Sequence, residues 1–308
     1  MADLILHHFA ASPFSEKVRL MIGYKQLAWK SVTVPNILPK PDVVALTGGY
    51  RRTPFLQIGA DIYCDTALIA QVLERLQPAP SLYLKIYPQG GRALASILAQ
   101  WADDALFWAA ITYNRGASAE LPPAVYEDRR AMGFDVDWWR PADASPAYQN
   151  YVQRLSELLR DQPYLLGQQP CIADFSAYHA LWLVHLREGA TVRVPPQATA
   201  LRGWLGRMQS IGHGRAAPLD AAQAIAIAAY SQPAAAGCNL LDDGGFQDEH
   251  SLAPGSRVAI SAQSFGREPT EGELVAATPQ HYSLRRVDPR AGLLHVHFPR
   301  IGYVLKQL

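Results

Sequence analysis

Residues 1–78 alternate between short apolar runs and amphipathic helical patterns. Apolar spacing typical of a helix follows Pro13 and appears again from Thr66 onward. Short runs that predict strands, because they are apolar or rich in β-branched and aromatic residues, occupy residues 4–9, 29–34, 55–58 and 61–64. The order β-α-β followed by β-β-α predicts an α/β domain over residues 1–80.

Residues 90–230 lack strand-like alternation and predict an all-helical domain, organised as a bundle. Prolines interrupt residues 117–146, where we expect one short helix with loops. Apolar spacing predicts longer helices at residues 92–113, 147–166, 174–186, 201–208 and 220–230.

The chain changes character again at residue 231. Residues 231–250 are rich in Gly, Ala and Asp and predict a linker. Alternating apolar and polar positions then predict strands at residues 257–261, 273–277, 282–286, 293–298 and 302–305. We therefore expect a small all-β module over residues 250–308, with its apolar faces covered by the helical domain or by a second subunit. Because this module follows a linker, we do not expect it to supply catalytic residues.

The composition narrows the classes of function. The 308 residues include 28 Lys and Arg against 27 Asp and Glu, a net charge of +1. Without a dense basic run, the chain does not suit sequence-independent nucleic-acid binding, which depends on phosphate neutralisation. Three cysteines at unrelated spacings are typical of free thiols in a reducing compartment. No apolar stretch reaches the roughly 18 residues of a membrane span, and the N-terminus lacks the basic region of a signal peptide, so we expect a cytoplasmic protein.

Ser12-Pro13 joins the first predicted strand to the first predicted helix. Proline suits the first helical position, where its missing N–H would have no partner, and this places Ser12 at the N-cap. A helix N-terminus presents unpaired N–H groups and favours a negative charge such as a thiolate. The dipeptide alone is also what an ordinary serine cap would show.

Two further elements precede or follow strands of the same predicted sheet. Thr53-Pro54 stands before an apolar strand, and a cis bond there, which we predict, would turn the Thr53 backbone toward Ser12. Asp65-Thr66 opens the next helix, where the carboxylate could hold an ammonium group while the hydroxyl and N–H groups hold a carboxylate. Read in isolation, Asp65-Thr66 is also an ordinary helix cap.

These elements, in this order, resemble the cytosolic glutathione S-transferase superfamily. The segment SPFSEKVRL at 12–20 is similar to the family's active-site turn and first helix, TPFL at 53–56 to its cis-proline turn, and DTALI at 65–69 to the segment that opens its next helix. PCIADF at 170–175 is similar to its buried helix-capping motif, with Cys171 in place of the usual Ser or Thr. The resemblance covers residues 3–78 well and 90–225 loosely.

The resemblance implies a thioredoxin-like domain that binds glutathione, followed by a helical domain. It implies that Ser12 is the catalytic residue and activates the glutathione thiol. Thr53 and Pro54 would contact the cysteinyl part of glutathione, and Asp65 and Thr66 would bind its γ-glutamyl end.

The resemblance leaves other contacts open. Lys40, Arg51 and Arg52 are alternatives for the glycyl carboxylate, and each is otherwise a solvated basic residue. An electrophile pocket would be bordered by aromatic residues, which on a helix are also typical of core packing, namely Phe14, Phe107 and Trp108. Asp174 of the capping motif would serve folding rather than chemistry.

The function implied by the resemblance is that of a glutathione transferase, with glutathione as co-substrate, a hydrophobic electrophile, and neither a metal nor a further cofactor. A cysteine at position 12 would favour mixed-disulfide chemistry, so Ser12 favours conjugation over thiol reduction. A glutathione-dependent isomerase, lyase or ether-cleaving enzyme is an alternative, as is a noncatalytic glutathione-binding protein. The resemblance also implies a homodimer.

Overall fold

A computed structural model describes residues 3–83, 90–117, 122–133, 140–188, 199–235, 240–241, 246 and 249–308. Half of the predicted linker 231–250 therefore lies outside the described residues. Cys64 and Cys171 are buried free thiols, as expected, and Cys238 lies outside the described part.

The N-terminal part has the predicted thioredoxin-like order. Its elements are β1 (Leu4–His8), α1 (Pro13–Tyr24), β2 (Ala28–Thr33), α2 (Pro41–Thr47), β3 (Phe55–Ile58), β4 (Asp61–Cys64) and α3 (Thr66–Leu76). β1 pairs in parallel with β2 and antiparallel with β3, and β3 pairs antiparallel with β4. This arrangement brings the N-termini of α1 and α3 and the start of β3 to one region of the sheet.

Helix α2 lies in a segment for which the sequence analysis predicted no helix or strand. Pro41 occupies its first turn, and Gly48 closes it with a φ of +84°, a left-handed conformation that favours glycine. The helix is only 7 residues long, about two turns. So few apolar positions do not show a helical spacing, and the sequence analysis therefore missed it.

The second part is helical, with α4 (Gly91–Trp101), α5 (Phe107–Ala117), α6 (Pro123–Ala131), α7 (Pro141–Leu158), α8 (Ile172–Glu188), α9 (Thr199–Ser210) and α10 (Ala221–Ala229). The predicted helix 92–113 is interrupted by a π-helical turn at Ala102–Leu106. Helix α7 ends at Leu158 rather than at residue 166, because Pro163 cannot continue a helix.

One strand contradicts the prediction that residues 90–230 contain none. β5 (Arg215–Pro218) pairs in parallel with β2 at the edge of the sheet. Its sequence, RAAP, is short and has no apolar alternation, so only the backbone pairing identifies it.

The C-terminal strands fall where the alternation predicts them. They are β6 (Arg257–Ala262), β7 (Thr270–Ala277), β8 (His281–Asp288), β9 (Gly292–Pro299) and β10 (Tyr303–Gln307). They do not form a separate barrel: β9 pairs in parallel with β4, which gives a ten-stranded sheet in the order β10-β6-β7-β8-β9-β4-β3-β1-β2-β5.

The cover of the C-terminal strands differs in part from the expectation. Val258, Leu284 and Phe298 of these strands share one buried cluster with residues of the thioredoxin-like domain, such as Phe55 and Ile62, and with Ile225 and Ala228 of α10. The thioredoxin-like domain therefore buries much of their apolar surface, and the helical domain contributes through α10. Removal of the strands would expose β4 and this cluster.

A buried chain of polar groups joins the C-terminal strands to β4. Nε2 of His297 lies 2.9 Å from Oδ1 of Asp61, and Nδ1 of His297 lies 2.7 Å from the Ser283 hydroxyl. Oδ2 of Asp61 accepts a hydrogen bond of 2.9 Å from the Ala234 N–H. Because Ser283 and His297 are almost fully buried, this Ser-His-Asp arrangement joins strands and is not positioned to meet a substrate.

Candidate active site

Ser12 is the N-cap of α1. Its backbone is extended, Pro13 follows at the first helical position, and its Oγ accepts a hydrogen bond of 3.1 Å from the Ser15 N–H. Because this bond uses a lone pair of the hydroxyl, the hydroxyl proton stays available for donation. The side chain is 3% exposed and lies at the positive end of the helix dipole.

The Thr53–Pro54 peptide bond is cis, as the sequence predicts. Thr53 is half-buried, and its Oγ1 is buried without a hydrogen-bond partner among the described residues. Buried polar atoms are normally satisfied, so this hydroxyl can take a partner from a ligand.

Asp65 has a φ of +78°, which is rare for a residue other than glycine and typical of functional sites. Its Oδ1 accepts a hydrogen bond of 2.9 Å from the Ala67 N–H, and its Oδ2 accepts one of 3.1 Å from the Tyr303 hydroxyl. Each carboxylate oxygen has a second lone pair, so an ammonium group can still bind.

Thr66 follows at the start of α3, and its Oγ1 accepts a hydrogen bond of 3.1 Å from Nζ of Lys17. The hydroxyl proton of Thr66 must therefore point away from Lys17 and can be donated to a carboxylate.

Lys17 belongs to a buried charge network that the sequence interpretation missed. Its Nζ lies 2.6 Å from Oδ2 of Asp103, and Oδ1 of Asp103 lies 2.9 Å from Nε2 of His179. Burial opposes ionisation of Asp103, but the Lys17 charge and the His179 hydrogen bond outweigh it and lower the pKa of that carboxyl. Burial lowers the pKa of His179.

The network links the two domains, because Lys17 is on α1, Asp103 is in the π-helical turn and His179 is on α8. Asp103, a charged residue inside the apolar pattern 92–113, is the feature of the sequence that could have indicated this network. At the candidate site, the network orients the Thr66 hydroxyl.

The three basic candidates have different surroundings. Arg51 pairs with Asp128 (Nη1–Oδ1, 3.3 Å) and with Glu268 (Nε–Oε1, 2.8 Å). Arg52 donates from Nε to the Phe265 carbonyl at 2.9 Å and from Nη2 to the Ser264 hydroxyl at 3.0 Å. Both guanidinium groups are thus occupied within the protein.

Lys40 is 6% exposed, and its Nζ donates to the Arg51 carbonyl at 3.2 Å. Burial, helped by the charges of Arg129 and Arg51, lowers the pKa of Lys40 to about 8, while Asp128 opposes the shift. A ligand carboxylate would give this buried ammonium the charge partner that the carbonyl does not supply.

The aromatic candidates meet across the domain boundary. Phe14 on α1 packs against Phe107 on α5 with ring centroids 4.7 Å apart and against His179 at 4.5 Å. Phe107 contacts Trp108 at 4.8 Å. Phe107 is buried, whereas Phe14 and Trp108 keep part of their surface exposed, so these two can contact a further molecule.

The capping motif performs the folding role that the sequence predicts. Asp174 is buried at the start of α8 and accepts hydrogen bonds from the N–H groups of Leu165 (2.8 Å) and Cys171 (3.0 Å) and from Nε1 of Trp204 (2.8 Å). The Cys171 thiol, which replaces the usual hydroxyl, still lies 3.4 Å from Oδ2 of Asp174.

Two sequence models match the chain. The glutathione S-transferase N-terminal domain matches residues 6–81, and the glutathione S-transferase C-terminal domain matches residues 129–207. The crystal structure of a GST-like protein from Pseudomonas syringae is similar over the whole of both chains, with 39% identity and a TM-score of 0.79. The chain belongs to the glutathione S-transferase family.

More distant transferase-fold structures share only the fold. A theta class glutathione S-transferase from Xanthomonas axonopodis pv. citri, solved with glutathione bound, is 22% identical, with a TM-score of 0.50 over 67% of this chain and 92% of that one. The β-etherase LigF from Sphingobium sp. strain SYK-6 is 19% identical, with a TM-score of 0.52 over 67% and 95%. No functionally curated protein matches the chain.

Strands β6–β10 follow the two matched transferase domains, yet they contact the candidate site. Tyr303 donates to Asp65, and Phe265 and Ser264 bind Arg52. The sequence analysis did not predict these contacts between the C-terminal strands and the candidate site residues.

Metal-ligand clusters and membrane-spanning helices were sought in the described part of this transferase-family chain. The described residues include no cluster of three or more His, Cys, Asp or Glu side chains suited to a metal ion. Within the same ranges, no helix has the length and apolar character needed to cross a bilayer.

Proposed function

We propose that the protein is a glutathione transferase in which Ser12 activates the glutathione thiol for attack on a small apolar electrophile. The observation that carries this proposal is the Ser12 hydroxyl, which caps α1 through a lone pair and keeps its proton for a thiolate. It stands one helical position before Pro13 and next to the aromatic contact between Phe14 and Phe107.

The energetics of thiol activation suit this arrangement. A free thiol has a pKa near 8.5, so only a few per cent is ionised at neutral pH, and lowering the pKa by about two units requires roughly 2.7 kcal/mol. A hydrogen bond to a charged group contributes roughly 1.5–3 kcal/mol, and a helix N-terminus adds roughly 0.3–1 kcal/mol. Ser12 and the end of α1 together therefore supply the required stabilisation. The thiol proton leaves to solvent, and the sulfur lone pair forms the bond to the electrophilic carbon. The electron pair of the bond that breaks departs with the leaving group or, where the electrophile is an activated double bond, moves to the neighbouring atom, which then takes a proton from solvent.

We assign each of the other site residues to the part of glutathione that it would bind. The Thr53 backbone, set by Pro54, pairs with the cysteinyl residue. Asp65 binds the γ-glutamyl ammonium, and Thr66 donates its hydroxyl proton to the neighbouring carboxylate. The family resemblance suggests these assignments, and two are supported by local hydrogen bonds that leave Asp65 a free lone pair and Thr66 a free proton.

For the glycyl carboxylate we propose Lys40 rather than Arg51 or Arg52. Both arginines are engaged with protein acceptors, and Lys40 is a buried ammonium whose pKa is lowered to about 8. A buried charge gains most from a ligand of opposite charge.

We also propose that the protein is a homodimer. Helix α4 leaves Leu94 46% exposed and Ile97 64% exposed, on a helix that otherwise packs on α8. Light scattering tests this proposal, and a monomeric mass would contradict it.

Conjugation assays with several classes of electrophile, run beside calorimetric titration of glutathione, test the function. We expect glutathione binding and formation of a thioether product. Turnover only of an isomerisation, elimination or ether substrate would favour the alternative enzymes on this fold. Binding without any turnover would favour a noncatalytic protein.

A further inference from the structure

The segment 264–268, between β6 and β7, crosses from one domain of the transferase fold to the other. On the thioredoxin-like side, Arg52 binds the Phe265 carbonyl and the Ser264 hydroxyl, and Arg51 pairs with Glu268. On the helical side, the Gly266 N–H donates a hydrogen bond of 2.6 Å to the Met132 carbonyl. The segment therefore spans the boundary at which the candidate site lies.

Gly266 explains how closely the segment lies against both domains. Its φ is +58°, and a Cβ at this position would come within 3.0 Å of the Met132 Cε and 3.3 Å of the Arg52 Cγ. A side chain at position 266 would therefore strain the left-handed backbone and require the Met132 and Arg52 side chains to shift by a few tenths of an ångström. Hydrogen bonds to both domains hold the segment, and with it the backbone of the neighbouring Phe265.

The Phe265 ring lies between a cation and an aromatic side chain. Cζ of Arg52 is 4.1 Å from its ring centroid, and the Trp108 ring meets it edge-on, with centroids 5.6 Å apart. Cation–π and edge-to-face contacts of this kind favour one ring orientation. Phe265 is half-buried, so its side chain is in part exposed to solvent.

Phe265 completes a row of contacts around the site. The row runs from Phe14, beside Ser12, through Phe107 and Trp108 to Phe265 and then to Arg52, which precedes Thr53. One end of the row adjoins Ser12, which we assign to the cysteinyl sulfur, and the other adjoins Thr53, which we assign to the cysteinyl backbone. An electrophile that approaches the sulfur would therefore meet the exposed parts of this row.

We propose that Phe265, contributed by the C-terminal strands, forms the outer wall of the electrophile pocket and limits the protein to compact, planar apolar electrophiles. This inference rests on the proposed transferase function. The described side chains of the row are aromatic apart from Arg52, so the row selects by size and shape more than by hydrogen bonding.

Conjugates of glutathione test the wall by binding alone, without turnover. Calorimetry gives the Kd of glutathione, S-methylglutathione and S-(1-naphthylmethyl)glutathione for the wild type, Phe265→Ala and Phe265→Leu. Val287→Ala is the matched control, because Val287 lies on the same set of strands and is 71% exposed. Circular dichroism verifies that each variant is folded.

We expect the naphthylmethyl conjugate to bind wild type more weakly than the methyl conjugate. Phe265→Ala should lower the Kd of the naphthylmethyl conjugate about tenfold or more. Removal of a group from the wall of a pocket changes the preference between a larger and a smaller ligand by about that factor. The affinities for glutathione and the methyl conjugate should stay within about threefold. For Phe265→Leu, the Kd of the naphthylmethyl conjugate should lie between those of wild type and Phe265→Ala. Val287→Ala should bind all three ligands as wild type does.

The same titrations separate the two possible failures. If glutathione and its conjugates do not bind the wild type, the proposed function fails, and the inference fails with it. If they bind, but Phe265→Ala leaves the ratio of the two conjugate affinities unchanged or weakens both in parallel, only the inference is overturned.

Discussion

The hydroxyl of Tyr303, in the last strand, donates a hydrogen bond of 3.1 Å to Oδ2 of Asp65 at the N-cap of α3. Tyr303 is buried, and burial together with the Asp65 charge raises its pKa, so the hydroxyl stays protonated as a donor at neutral pH. A residue of the C-terminal strands therefore orients the carboxylate that we assign to the γ-glutamyl ammonium.

Tyr303→Phe should weaken glutathione binding by about three- to tenfold, the range expected for one oriented hydrogen bond. Calorimetry with glutathione and with glutaryl-cysteinylglycine, which lacks the glutamyl ammonium, measures the effect. The loss should appear with glutathione alone, because only the ammonium contacts Asp65. Tyr282→Phe, in the same set of strands, is the control. An equal loss with both ligands would show that Tyr303 does not act through Asp65.

Lys40 should make ligand binding depend on pH. Its pKa of about 8 in the free protein means that the ammonium is lost as pH rises through that value, and the glycyl carboxylate needs the charged form. The affinity for S-methylated glutaryl-cysteinylglycine, which has neither a thiol nor an amino group to titrate, should be constant below pH 7 and fall by up to about tenfold per pH unit above the pKa. Calorimetry at pH values from 6 to 9, on both sides of the lowered lysine pKa, measures this.

Lys40→Met should bind S-methylated glutaryl-cysteinylglycine at least about tenfold more weakly and lose the decline above pH 8 that wild type shows. Lys306→Met, at an exposed position of β10, should behave as wild type. A decline that persists in Lys40→Met would assign the titration, and the glycyl carboxylate, to another group.

Asp174→Ala should lower the free energy of unfolding by about 3 kcal/mol or more. The change leaves the Leu165 and Cys171 N–H groups and the Trp204 indole N–H without their acceptor, and each unsatisfied buried donor costs about 1–3 kcal/mol. Urea unfolding measures the change. Asp143→Ala, also in the first turn of a helix but exposed, should cost less than about 1 kcal/mol. Equal effects of the two variants would remove the special role of Asp174.

Local sequence patterns predicted those helices and strands that are determined by residues close together in the sequence. The alternation in 293–298 located β9, and Ser12-Pro13 located the start of α1, because both features depend on neighbouring residues. The pairing of β9 with β4 could not be predicted, since an alternating strand has the same pattern whichever neighbour it joins.

The candidate site divides in the same way. Ser12, Thr53, Asp65 and Thr66 belong to short motifs and could be found by resemblance. The contacts of Phe265 with Arg52 and of Lys17 with Asp103 join residues far apart in sequence, and no spacing rule connects them. Their discovery needed the tertiary structure.

The ionisation of glutathione on the protein tests the central claim most directly. Thiolate absorbance, titrated against pH on the bound complex, gives the thiol pKa for the wild type, for Ser12→Ala and for the control Ser15→Ala. The account predicts a thiol pKa about two units below the free value of roughly 8.5 in the wild type and in Ser15→Ala, and a rise of at least about one unit in Ser12→Ala with glutathione affinity retained. An unshifted thiol pKa in the wild type, or the same pKa in Ser12→Ala, would contradict it.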